Sequence, residues 1–277
     1  MLGGGGVTGI AWELGLLVGL EAAGLDLTTA DVVVGTSAGS VVGAQILSSA
    51  SLEDLYQEQL RDATGEIAAK MGISTVLRFV ALSVWPGDES RARARLGRAA
   101  VQAPTVTESV RREVIERRLH SHDWPERRLL VTAVDAASGE LRVFDRDSGV
   151  SITDAVAASC AVPLVWPPIS IGGRRYIDGG VRSLTNSDLA TGCERVVVLA
   201  PSRIGLRRSG RIDRQLATLG PGVRSIVVSP DSAARKAIGP NSLDPARRAA
   251  SARAGRAQAT AVVAELAAIW SPPSGAG

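Results

Sequence analysis

The chain has 277 residues, 45% of them apolar and 21% charged, which is enough to bury a sizeable core and too apolar for a disordered chain. Its formal net charge is +3, all 31 basic residues except Lys70 and Lys236 are arginine, and aromatics make up 3%; with no nucleic-acid-reading motif, a nucleic-acid partner is not expected. Two cysteines, Cys160 and Cys193, exclude a disulfide framework and a cysteine-rich zinc module, while Glu13, Glu21 and Arg78 interrupt the longest apolar stretches, so the expectation is a cytoplasmic protein without a membrane span or secretory leader.

Met1 and Leu2 read as the stub of a strand entering the loop GGGGVTG, Gly3 to Gly9. A helix follows to about Glu21, with Gly24 placed to end it. Val32 to Val34 is an all-apolar run, as expected of a strand buried on both faces of a sheet. It leads into GTSAGS and a small-residue helix from about Ala38 to Ser49. Residues 52–119 read as mostly helical. Leu129 to Val134 and Leu141 to Asp145 flank the turn DAASGE and read as strands. A helix near Thr153 to Ser159 precedes the proline-rich VPLVWPPI. Further strands are expected at Val196 to Leu199 and Ser225 to Val228, then a long helix from about Pro245 to Trp270 and a frayed tail over 271–277. This alternation predicts an α/β fold: a mainly parallel central sheet with helices on both faces, in one domain over residues 1–270.

Three local signals bear on chemistry. The first, Gly35-Thr36-Ser37-Ala38-Gly39, is a G-x-S-x-G. Alone it is weak, and Ser37 would simply cap the helix. Lying between an apolar strand and an apolar helix, however, it stands where a nucleophile elbow must be, with small residues two before and two after the serine. The second, Gly4 to Gly9, formally fits G-x-G-x-x-G. A dinucleotide site needs an acidic residue at the end of the next strand, and here that strand runs into Gly35-Thr36-Ser37 with Asp31 before it. No lysine follows the glycines, so it is not a Walker loop. What remains is an oxyanion hole of converging backbone N–H groups, or a flexible tight connection.

The third signal is Asp178-Gly179-Gly180, which alone would read as a hairpin turn. A serine triad needs a histidine, and the chain has only His120 and His122, in the polar helix-end segment HSHDWPERR. Ser37 also comes too early for an α/β-hydrolase, which places its serine after several strands. A hydrolytic serine here needs another base, and a carboxylate on a glycine-lined turn is a candidate. No cluster has metal-ligand spacing, so neither metal nor cofactor is expected. From Met71 to Trp85, Ile73, Val76, Leu77, Val80 and Val84 share a helical stripe, with Phe79 and Leu82 on another face. Such a stripe reads first as core, and second as a lid or acyl-chain surface. Arg91, Arg93, Arg95 and Arg98 make either a solvated helix face or a contact for anionic lipid. Cys160 reads as a small buried filler.

In these three ordered motifs the chain resembles the patatin-like phospholipases, serine lipid acyl hydrolases with a Ser–Asp dyad. The family's glycine-rich loop is similar to Gly3 to Gly9, and its G-x-S-x-G to Gly35 to Gly39. Its A-S-x-A-x-P, P-P and Y-x-D-G-G are similar to AASCAVPLVWPPISIGGRRYIDGG over 157–180. The resemblance runs in register over about residues 1–50 and 129–200, with 52–128 as a helical variable cap. It implies a patatin-like three-layer sandwich, Ser37 as nucleophile, Asp178 as general base and the amides of Gly4, Gly5 and Gly6 as oxyanion hole. Gly35, Gly39, Gly179 and Gly180 would be the motif glycines. The substrates implied are phospholipid or lysophospholipid esters, met at or near a membrane surface. The same residues would serve a thioesterase or an acyltransferase. The alternative from another class is a non-catalytic lipid-binding or regulatory module. Two departures favour it: Thr8 stands where the family loop often carries a basic residue, and only Met1 and Leu2 stand where the family has a full strand, which implies either residues upstream of Met1 or a truncated central strand.

Overall fold

The computed structural model describes residues 1–61, 69, 73–84, 87–205 and 207–270. The tail expected to fray, and Met71 and Trp85 at the ends of the apolar segment, lie outside the described residues. Val32–Thr36 forms β1 and Arg128–Asp135 forms β2, paired in parallel with Thr36 opposite Thr132. Both are buried over nearly their whole length, which accounts for their unalternated aliphatic sequences. Leu141–Phe144, β3, folds back antiparallel along one edge of β2. On the other edge β1 stops at Thr36. Its place is taken by the end of a hairpin formed by Ile169–Ile171, β4, and Arg174–Asp178, β5, which runs antiparallel to β2 with Asp178 opposite Ala133.

That hairpin turns at Gly172 and Gly173, whose φ values of 56° and 76° suit a two-residue turn with both centres left-handed. Asp178-Gly179-Gly180 is therefore not the hairpin turn it resembles alone. Asp178 ends β5, and Gly179–Val181 is a single 3-10 turn.

Arg195–Leu199, β6, and Arg224–Val228, β7, form a second parallel pair. Among the described residues the extended segment from Met1 to Gly3 joins the two pieces, with Leu2 bridging Gly35 on one side and Leu199 on the other. Its N–H donates to the Val34 carbonyl at 2.8 Å, and the Gly3 N–H donates to the Leu199 carbonyl at 2.9 Å. The expected strand stub is thus one residue wide. The sheet is mixed: parallel from β7 through β6 and Leu2 to β1 and β2, antiparallel where β3, β4 and β5 attach.

The helices are α1 (Gly6–Ala22), α2 (Ala38–Ile46), α3 (Leu52–Leu60), α4 (Ile73–Ser83), α5 (Glu89–Val101), α6 (Glu108–Arg118), α7 (Ile152–Ser159), α8 (Ile212–Ala217), α9 (Ser232–Ile238) and α10 (Arg248–Trp270). Alternate strand residues divide between two cores, as the strand period of two requires. Val197 and Leu199 of β6 join the main core with α1, α2 and α10, while Val196 and Val198 face Ile212 of α8. Likewise Leu129, Val131 and Ala133 of β2 join the main core, and Val134 packs with Ala100 of α5. Helices therefore cover both faces. The apolar-all-round α1 is buried from Val7 to Leu20, with Gly15 and Gly19 letting α10 approach its backbone closely. Among the described residues no helix is long and apolar enough to cross a membrane.

Candidate active site

Ser37 occupies the sharp turn between β1 and α2 with φ 53° and ψ −116°, a backbone conformation that a residue with a side chain adopts only when its surroundings enforce it. The enforcement is visible. The Ser37 N–H donates to Ser159 Oγ at 2.9 Å, and its carbonyl accepts from Ser40 Oγ at 2.7 Å and Cys160 Sγ at 3.3 Å. At Gly39 a Cβ would collide with the Leu2 carbonyl, so only glycine lets the strand and helix close on the serine. The Ser37 side chain makes no capping hydrogen bond to α2, which removes the plain helix-cap reading.

The sheet register brings Asp178 to the same point. Thr36 and Asp178 lie opposite consecutive residues of β2, Thr132 and Ala133, and their strands run in opposite directions. The two chains meet head-on, so Ser37, the next residue after Thr36, turns into the space beside Asp178. Asp178 is 4% exposed; its Oδ1 accepts the Gly180 N–H at 2.7 Å, and Oδ2 is buried without a hydrogen bond among the described residues. Burial pushes its pKa up to about 6, against the opposing pull of the Ser37 hydroxyl, the Gly180 N–H and the Arg111 charge.

The glycine loop supplies the third side. Gly4 packs against Ser37, yet its N–H donates to the Leu184 carbonyl at 2.8 Å and is not free for a substrate oxygen. The N–H groups of Gly5 and Gly6 have no acceptor among the described residues and lie at the positive end of α1, with Gly6 at φ 61°. Of the three amides expected from the sequence, these two are left as free donors among the described residues. Ala38, at the start of α2, also lines the site, and its N–H has no acceptor among the described residues. The loop is tied from beneath by Glu13, whose Oε1 accepts the Gly3 N–H at 2.8 Å. Burial holds the Glu13 carboxyl well above its ordinary pKa, despite that bond and the Met1 ammonium. Thr8 is buried, with its N–H and hydroxyl both on the Ser242 carbonyl at 3.2 Å.

Gly4, Gly5, Gly6, Ser37, Asp178 and Gly180 share one cavity of about 570 Å³, a volume suited to a small ligand. Gly35, Gly39 and Gly179 lie behind it, and there they let backbones approach. Val76, Phe79, Leu96, Trp166 and Ile204 give its walls an apolar character. Five arginines also line it, among them buried Arg111, whose guanidinium stacks on Trp166 at 4.3 Å. Cys160 is buried as expected, but as a wall residue bonded to the Ser37 carbonyl. His120 and His122 are exposed away from the cavity, His120 beside Glu58 at 3.0 Å. Among the described residues no group of three or more His, Cys, Asp or Glu is placed to hold a metal ion.

The sequence reasoning missed a buried polar knot behind Ser37 and Asp178. Asn186, at φ 43°, donates from Nδ2 to Thr36 Oγ1 at 3.0 Å, Thr132 Oγ1 at 3.3 Å and the Ser183 carbonyl at 2.8 Å, and accepts from Arg182 at 2.7 Å. It ties the end of β1, the middle of β2 and the chain beyond Asp178 into one unit. Glu13, an acid inside the apolar run of α1, was a readable hint of such anchors, and the fold buries it fully. The stripe on α4 is also not core: Val76, Leu77, Val80 and Val84 are all exposed.

Residues 1–190 match the family described as patatin-like phospholipase. Among solved structures, the chain is similar to VipD from Legionella pneumophila at 16% identity and TM-score 0.45, over 95% of this chain and 66% of VipD. It is similar to the type III effector protein ExoU at 18% identity and TM-score 0.42, over 96% of this chain and 52% of ExoU. The chain thus spans less than two thirds of either protein's length. No curated protein matches it.

Proposed function

The chain belongs to the patatin-like phospholipase family, and from that premise we propose that it is a serine lipid acyl hydrolase working through Ser37 and Asp178. Family membership supports lipid acyl hydrolysis in general. The observation that carries the finer reading is a backbone-strained serine facing a buried carboxyl, whose pKa of about 6 suits a base near neutrality.

In this mechanism Ser37 Oγ attacks the ester carbonyl carbon while Asp178 takes its proton. The negative oxygen of the tetrahedral intermediate is held by the N–H groups of Gly5 and Gly6 at the head of α1; losing one such donor typically slows catalysis about 100- to 1000-fold. Collapse breaks the bond to the alcohol, which leaves with the proton from Asp178. Water then attacks the acyl-Ser37 ester while Asp178 takes its proton; the bond from Ser37 Oγ to the acyl carbon breaks, Asp178 returns the proton to Ser37 Oγ, and a fatty acid departs. The elbow strain keeps Ser37 Oγ on the cavity side, and the Asn186 knot fixes the spacing of the two strand ends. The apolar walls suit an acyl chain, and the arginines suit a phosphate-bearing ester, so phospholipids or lysophospholipids are the proposed substrates, met by peripheral contact with a membrane.

The test is covalent labelling with a fluorophosphonate together with hydrolysis of a short-chain p-nitrophenyl ester. Ser37→Ala should abolish both and leave the fold intact by circular dichroism, and Asp178→Asn should slow labelling strongly. Ester hydrolysis by Ser37→Ala at the native rate would end the proposal.

A further inference from the structure

Eight large aliphatic side chains are exposed among the described residues, and five of them gather at one place. Val76, Leu77, Val80 and Val84 form a single stripe along α4 and the residue after it, and Leu77 is 64% exposed. Ile204 is the most exposed of all at 72%. Val76, Val80 and Ile204 also line the catalytic cavity, so the stripe rims its mouth. Inward, α4 sends Phe79 into the cavity and packs on α5. Its C-terminal end is held by Arg207, whose Nε donates to the Ser83 carbonyl at 2.8 Å. Contiguous apolar surface left in water marks an interaction site.

The charge beside the stripe narrows the partner. The helix α4 carries Arg78 and no acid; α5 and its cap add Arg91, Arg93, Arg95 and Arg98 against Asp88 and Glu89. Five arginines against two carboxylates give this short stretch a formal charge of +3, as large as that of the whole chain. An apolar stripe with excess positive charge suits an anionic bilayer: aliphatic side chains enter the acyl boundary while arginines meet the headgroups.

We propose that α4, with Val84 and Ile204, is the face by which this protein docks on an anionic lipid surface, setting the cavity mouth against the bilayer. The inference rests on the lipid-ester reading only for why the mouth should face lipid. An acyl chain could then pass from the bilayer to Ser37 without crossing water, as the continuity of rim and cavity wall at Val76 and Val80 allows.

The experiment is co-sedimentation of the full chain with vesicles of phosphatidylcholine alone and of phosphatidylcholine mixed with phosphatidylglycerol. Leu77→Glu/Val84→Glu is the variant, because neither side chain lines the cavity. The wild type should bind the mixed vesicles at least about tenfold more tightly than the neutral ones, and added salt should weaken that binding. The double variant should lose at least about tenfold of it, while its hydrolysis of a water-soluble short-chain ester stays within about twofold of wild type. Equal binding by wild type and variant, or no binding to either vesicle, would overturn the proposal. So would a wild-type dimer that the variant dissolves while vesicle binding is absent, since the face would then join two copies of the chain. Loss of soluble-ester hydrolysis in the wild type, with vesicle binding intact, would instead strike the dyad and leave the docking face standing.

Discussion

Lowering the pH should switch the hydrolase off well before it unfolds, with an acid limb in kcat/KM centred near pH 6. The perturbation is protonation of Asp178, whose carboxyl is pushed up to about 6 chiefly by burial and is inactive as a base once protonated. With that pKa, about nine tenths of the free enzyme carries the ionised base at pH 7 and about one tenth at pH 5, so kcat/KM should fall about tenfold between them. A carboxyl near the ordinary Asp value of about 3.9 would lose less than about a tenth of its activity over the same interval. The assay is initial-rate hydrolysis of a short-chain ester from pH 4.5 to 8, with circular dichroism at each pH to show the fold intact. Fluorophosphonate labelling rates should trace the same limb. A profile flat down to pH 5, or an identical limb in Asp178→Asn, would refute the assignment of the base.

Two further outcomes follow from the groups behind the site. Asn186→Ala leaves the Thr36 and Thr132 hydroxyls short of a donor and frees the chain beyond Asp178, so it should lower stability to urea by about 2 kcal/mol and reduce kcat with KM nearly unchanged; an unaltered kcat would make the knot purely structural. Glu13 has a folded pKa above its unfolded value, so its contribution to stability is full below about pH 4.5 and is lost as pH rises toward the folded pKa, by about 1.4 kcal/mol per unit. Glu13→Gln removes that loss, so its advantage over wild type in urea should grow from pH 4.5 to 7, and a gap that shrinks over that range would contradict the assignment.

What could be read in the sequence was whatever a short window determines. The apolar runs of β1, β2 and β6 sit on strands, the long C-terminal helix forms, and Ser37 stands at a strand-to-helix turn because its neighbours in sequence dictate that turn. The meeting of Ser37 with Asp178 depends on two strands ending head-on against a third, and no local pattern encodes a register between chain segments so far apart. β4 was missed because it is only three residues long, and β5 because it begins with two exposed arginines instead of an apolar run. Their turn at Gly172-Gly173 was hidden by the more conspicuous Asp178-Gly179-Gly180 nearby. The α4 stripe was assigned to the core because spacing says which residues share a face, and only the fold says whether protein covers it. Gly4 fell to the same limit: its N–H was spoken for by the Leu184 carbonyl, a partner 180 positions along the chain.

Leu2 is the residue at which the β6–β7 piece is bridged to the remainder of the sheet, and the amide-bearing loop begins at the very next residue. A copy with β6 not yet seated would lack the bonds from Met1 and Gly3 to β6, leaving the loop on its remaining ties to β1, α2 and Glu13 and its donors less firmly aimed. Damage at this junction should therefore loosen the loop that carries the free amides while leaving Ser37 and Asp178 themselves untouched.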